Sequence, residues 1–107
     1  MTRGSLVTVA LQGSYGKPRR ALVIQSDLFD QHPSVTVLPV TTDLRDAPLF
    51  RVTVEPDSNN GLMATSQIMV DKPHTIPREK MGRTVGRISD ETMLEVNRSL
   101  MVFLGLA

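Results

Sequence analysis

Arg19 and Arg20 stand side by side, and their chemistry is that of anion binding. A guanidinium presents several rigid donors that match phosphate oxygens. It stays protonated, so it acts as fixed charge rather than as a proton carrier. The stretch before them, Gln12 to Pro18, contains two glycines, a serine, Tyr15 and Lys17, which is loop chemistry. A tyrosine ring can stack on a nucleobase and a lysine can follow a phosphate backbone. Thr41 ends the run Leu38-Pro39-Val40-Thr41 and offers a hydroxyl that can hydrogen-bond a phosphate oxygen without ionising. If the strand continues through Thr42, the two threonines face opposite ways and only one belongs to a site. His74 could move a proton near neutral pH. Each has a plainer alternative. Arg19 could be a solvated strand-edge charge and Thr41 a choice of β-propensity. The 12–18 segment could be a turn with an exposed tyrosine, and His74, close to Pro73 and Pro77, a loop residue.

Positioning these groups requires a scaffold of short strands. Leu6 to Leu11, Arg20 to Gln25 and Val35 to Val40 are apolar and β-branched, and the second reads as a buried central strand. Phe50 to Val54 alternates apolar and polar residues, which predicts one wet face. Gln67 to Val70 and Thr84 to Ile88 are further short strands. Lys72-Pro73 and Pro77 limit regular structure between them. Ser26-Asp27 can cap a single helical turn through Phe29. Ser89 to Leu104 is the one convincing helix. Ser89 is its N-cap, Asp90 and Glu91 suit its dipole, and Gly105 is its stop. Met93, Val96, Leu100 and Phe103 form its apolar face, with Met101 beside it, suited to core and dimer packing. The sum is mainly β, a small bent sheet or barrel with one terminal helix.

The chain has 107 residues, which fits a single domain over 1–107 and a core modest enough that dimerisation is a natural way to bury more surface. The hydrophobic share of 40% and charged share of 21% are ordinary for a globular protein. The net charge of +1 means that any basic patch must come from local clustering. With no cysteine, a disulfide framework and a zinc-thiolate site are excluded. No stretch approaches the about 20 apolar residues of a membrane span, and the N-terminus has no signal-peptide pattern. The expectation is a soluble, unprocessed cytoplasmic protein that makes no membrane contact.

Several motifs, taken in order, resemble the MazF/PemK toxin family. Arg3-Gly4 with Leu6-Val7 is similar to its opening Arg-Gly-Asp-Val strand, with Ser5 in place of the acid. Arg19 to Asp27 resembles its Arg-Pro-x-Leu-Val-Ile-x-x-Asp strand, and Pro39-Val40-Thr41-Thr42 its Pro-Ile-Thr-Ser strand end. Ser66-Gln67-Ile68 resembles an Asp-Gln-Ile segment, and Val70-Asp71-Lys72-Pro73 the Cys-Asp-Gln-Pro of the PemK branch. Val85 to Met93 resembles the approach to the last helix.

The resemblance implies an SH3-like barrel with a C-terminal helix. It implies a homodimer that cuts single-stranded RNA without metal or cofactor and is restrained by the C-terminal tail of a cognate antitoxin. The substrate's 2′-hydroxyl attacks the adjacent phosphate, leaving a 2′,3′-cyclic phosphate and a 5′-hydroxyl. Arg19 and Thr41 match the catalytic arginine and threonine. Asp71 matches a base assigned in the PemK branch, whereas His74 matches no family histidine. Gln67, Arg20, Lys17, Tyr15 and Arg51 complete the candidate catalytic or RNA-binding set. Met69 departs from an arginine that many members carry at this place, and Arg51, Arg20 or Lys17 could supply the missing charge. Arg20 replaces the usual proline. Two alternatives stand beside this reading. One is a gyrase poison of the CcdB-like branch, which uses a C-terminal tryptophan, although this chain has no Trp. The other is an RNA-binding barrel without catalysis, motivated by Met69.

Overall fold

The computed structural model describes residues 1–10 and 18–107. Strands β1 (Ser5–Val9), β2 (Arg19–Val23), β3 (Ser34–Thr41), β4 (Arg51–Val54), β5 (Ser66–Met69), β6 (His74–Pro77) and β7 (Met81–Arg87) precede a single helix, α1 (Asp90–Phe103). Short 3-10 turns occupy Asp27–Phe29 and Arg78–Lys80. All strand pairs are antiparallel, in the order β4-β5-β3-β2-β1-β7, with β6 added to β3.

Strand β3 organises the sheet. One of its edges pairs with β2. On its other edge, Val40 and Thr41 pair with β5, and Ser34 to Val37 pair with β6. The β1–β7 pairing slips register around Val7, which bends this end of the sheet. Among the described residues no pairing joins β4 to β7, so the sheet curls into a barrel-like form without closing.

Side-chain alternation divides the core in two. Leu6, Leu22 and Leu38 lie in one cross-strand row and are fully buried. With Val52 and Ile68 they meet Met93, Val96 and Leu100 of α1. Val7, Val9, Ala21, Val23, Val35, Val37 and Ile76 pack on the other face. Replacing one fully buried leucine by alanine in such a core costs about 2–5 kcal/mol.

The helix follows its sequence cues. The Ser89 hydroxyl accepts from the Thr92 N–H at 3.1 Å. At the far end Gly105 takes φ +74°, the Leu106 N–H donates to the Met101 carbonyl at 2.8 Å and the Gly105 N–H to Val102 at 3.2 Å. This double closure satisfies carbonyls that the helix would leave orphaned. The Ser26 hydroxyl likewise caps the Asp27–Phe29 turn through the Leu28 N–H. Arg3 ties three elements together. Its Nε donates to the Ile24 carbonyl at 2.8 Å, its guanidinium to Asn97 of α1 at 2.7 Å, and its backbone N–H to Asp27 at 2.7 Å.

Three expectations need correction, and one is made specific. The first strand stops at Val9 instead of reaching Leu11, which lies outside the described residues. The brief structure expected near Lys72-Pro73 and Pro77 is a four-residue strand, because the β3 edge beyond β5 offers pairing that local sequence does not display. The last strand begins at Met81, not Thr84, and contains Gly82. There a Cβ would lie 2.1 Å from the Thr8 hydroxyl, so close strand approach requires glycine. Phe103 keeps the helical spacing yet is 47% exposed, because the last turn of α1 leaves the sheet behind.

Candidate functional site

The ends of β2 and β3 meet where Arg19 and Thr41 stand. Arg20 pairs with Val40, and one further step of that register sets Arg19 opposite Thr41. Thr41 in turn pairs with Gln67 of β5, and Gln67 with Thr53 of β4. One polar row therefore crosses four strands, on the face opposite the helix-side apolar row.

A cleft of about 160 Å³ opens at this end of the sheet, lined by Pro18, Arg19, Arg20, Val40, Thr41, Thr42 and Ser66. Among the described residues its lining carries guanidinium groups and hydroxyls and no carboxylate. Arg19 is exposed, and neither ion pair among the described residues involves it. Arg20 alternates to the Leu22 side of β2, is half-buried, and its Nε is buried without a hydrogen-bond partner. Two adjacent arginines thus reach one cleft from opposite faces of a strand end.

The Thr41 hydroxyl oxygen accepts from the Asp43 N–H at 3.0 Å. With that acceptor position filled, its own proton remains to be donated. Thr42 lines the same cleft, contrary to the expectation that only one threonine would. Strand β3 ends at Thr41, so the two-residue alternation no longer governs the next side chain. Ser66 also lines the cleft, is 2% exposed, and donates to the Ala64 carbonyl at 2.9 Å. The sequence assigned it no role, because nothing local reveals that β5 pairs with the end of β3.

The remaining candidates lie elsewhere. The Gln67 amide points into the protein. It accepts from the Arg45 N–H at 2.9 Å and from Arg51 Nη1 at 3.0 Å, and donates to the Arg45 carbonyl at 3.0 Å and the Thr53 hydroxyl at 3.3 Å. Arg51 sits directly across from Met69. Its Nη1 also donates to the Asp43 carbonyl at 2.9 Å, and its Nε is buried and unpartnered. It borders a different groove, between β4 and α1, together with Glu95 and Arg98. Asp71 and His74 fall in and after the turn that follows β5, away from the cleft lining. Asp71 Oδ2 lies 3.5 Å from Lys72 Nζ, its Oδ1 is buried without a partner, and His74 Nδ1 donates to the Lys72 carbonyl at 2.8 Å. Tyr15 and Lys17 lie outside the described residues. Among the described residues no cluster of three or more His, Cys, Asp or Glu side chains is arranged to hold a metal ion.

The family model for PemK-like, MazF-like toxins of type II toxin–antitoxin systems matches residues 2–104. The chain belongs to this family. A probable endoribonuclease MazF from Mycolicibacterium smegmatis is 47% identical over 108 residues, covering 100% of this chain and 99% of that protein. The solved Mycobacterium tuberculosis toxin MazF-mt6 superposes with a TM-score of 0.82 at 26% identity, over 96% of this chain and 98% of that one. An endoribonuclease solved in complex with its cognate antitoxin from a mycobacterial species gives a TM-score of 0.84 at 22% identity, over 100% and 97% of the two chains. The MazF-like fold expected from the sequence is the fold observed. The stretches read from the sequence as resembling family motifs, from Arg19 and from Pro39 to Thr42, fall in β2 and at the end of β3, the two elements that frame the cleft.

Proposed function

We propose that this MazF-like protein is an endoribonuclease toxin that cuts single-stranded RNA at the Arg19–Thr41 cleft. The supporting observation is the meeting of an exposed guanidinium and a hydrogen-bond-oriented hydroxyl at one open strand end. In the reaction the ribose 2′-oxygen attacks the neighbouring phosphorus and loses its proton. The bond from phosphorus to the 5′-oxygen breaks, and that oxygen takes up a proton. The products are a 2′,3′-cyclic phosphate and a 5′-hydroxyl. DNA has no 2′-hydroxyl and cannot react this way.

The transition state gathers negative charge on the non-bridging oxygens. Arg19, with Arg20 beside it, supplies fixed positive charge there, and Thr41 donates its hydroxyl proton as a hydrogen bond. A preorganised donor of this kind is worth about 3–4 kcal/mol of barrier. Holding the 2′-oxygen in line with the scissile bond adds an entropic share. No step in this reading calls on a metal.

The toxin acts as a cytoplasmic homodimer restrained by a cognate antitoxin. The half-exposed apolar side chains of Leu94, Met101, Val102, Phe103 and Leu104 on and after α1 support self-association. No helix among the described residues is long and apolar enough to cross a membrane. An antitoxin tail carrying carboxylates would compete with phosphate for Arg19 and Arg20.

The test is incubation in EDTA with a long single-stranded RNA and its DNA counterpart, alongside Arg19→Ala and Thr41→Ala. The expected result is RNA-only cleavage at a few short motifs, with cyclic-phosphate ends, lost in both variants. Intact RNA with retained, salt-dependent binding would instead assign the binding-only barrel. Inhibited supercoiling with intact RNA would assign the gyrase poison.

A further inference from the structure

We propose that Gln67 and Arg51 are positioning residues that hold the 43–45 backbone so that the Thr41 hydroxyl is fixed as a donor into the cleft. The proposal rests on the ribonuclease reading of that cleft. The chain of contacts is continuous. Thr41 Oγ1 accepts from the Asp43 N–H, and the Asp43 carbonyl accepts from Arg51 Nη1. Arg51 Nη1 is shared with Gln67 Oε1, and the Gln67 amide clamps both the N–H and the carbonyl of Arg45. The residue whose N–H orients the threonine, Asp43, is thus held at its own carbonyl, and the backbone is held again at Arg45 two residues later.

Two observations separate this role from direct contact with RNA. Gln67 is 7% exposed. Its amide hydrogens and both oxygen lone pairs are already used within the protein. The clamp also explains why a glutamine, with a donor and an acceptor on one planar group, suits this position. The Arg45 backbone presents one donor and one acceptor, a carboxylate cannot donate to the carbonyl, and a hydroxyl has one proton where the glutamine amide uses two, to the Arg45 carbonyl and to Thr53.

The experiment is a double-mutant cycle on Thr41→Ala and Gln67→Ala, with Gln67→Glu and Arg51→Lys as milder variants, read as single-turnover cleavage of a short RNA. Misplacing a reacting or donating group by about 1 Å costs up to about a hundredfold. Gln67→Ala is therefore expected to lower kcat by about ten- to a hundredfold, with KM moved less than about threefold. The double variant should cleave no more slowly than Thr41→Ala alone, to within about twofold, because Gln67 acts through Thr41. Arg51→Lys, which keeps a donor, should retain more activity than Gln67→Ala. Additive losses, or a raised KM at unchanged kcat, would overturn the proposal. A second readout needs no activity. NMR hydrogen exchange of the Asp43 amide should accelerate in Gln67→Ala while the Leu22 and Leu38 amides keep their protection. An unchanged Asp43 amide would overturn the linkage even if cleavage fell. Wild-type protein that leaves RNA intact would instead overturn the ribonuclease reading, with the exchange result still deciding the clamp.

Discussion

The two ends of β3 do opposite things. At its start, Val35 and Val37 are buried in the core on the face away from the helix, and Ser34 to Val37 pair with β6. At its finish, the strand stops at Thr41, and guanidinium and hydroxyl groups replace aliphatic side chains. The same eight-residue strand is therefore core at one end and site at the other. Where a face is covered by packing, alternation and burial select apolar side chains. Where the strand stops, its last side chain and the turn beyond it are open to an anion. A site at the end of a rigid strand combines open access with precise placement.

That contrast breaks most severely in the core. Leu38→Ala removes a fully buried side chain from the Leu6–Leu22–Leu38 row and should cost about 2–5 kcal/mol of unfolding free energy in urea titration. Arg19→Ala should do the reverse, lowering kcat by about a hundred- to a thousandfold while its urea midpoint stays at the wild-type value. An equal loss of stability would show that Arg19 belongs to the scaffold rather than the site. Thr41 sharpens the comparison because it stands at the boundary. Thr41→Ala should lower kcat by about a hundredfold or more, and Thr41→Ser, which restores the hydroxyl, should recover most of it. The smallest effect belongs to the turn after β5. His74→Ala and Asp71→Asn should leave kcat within about twofold of wild type, since neither side chain lines the cleft. A tenfold loss in either would bring that turn into the site.

Arg51 and Gln67 mark another difference between the two guanidinium environments. Arg19 is exposed at a strand end, whereas the Arg51 side chain is engaged by Gln67 and by the Asp43 carbonyl. Both arginines read alike as candidate phosphate ligands in a linear sequence. Only one lines the Arg19–Thr41 cleft. Arg51 stands across from Met69, so its positive charge lies beside the residue at which the resemblance implied an arginine.

Much of the scaffold was legible from local pattern. The aliphatic runs became β1, β2 and β3, the alternating run became β4, and Ser89 and Gly105 bracketed α1 as their capping chemistry predicts. Arg19 and Thr41 were legible as candidates mainly through the family motifs they match; local pattern added that each lies next to a strand boundary. The sequence by itself determined the segments that form β1 to β5, where the helix starts and stops, and which residue types could bind an anion, since these depend on neighbours within a turn or two. Tertiary structure alone decided that β6 would form, that Thr42 and Ser66 would join the cleft, and that Gln67 would face inward. It also decided that Asp71 and His74 would stand apart. Each of these depends on strand register between distant segments, where a shift of one residue sends every side chain to the opposite face.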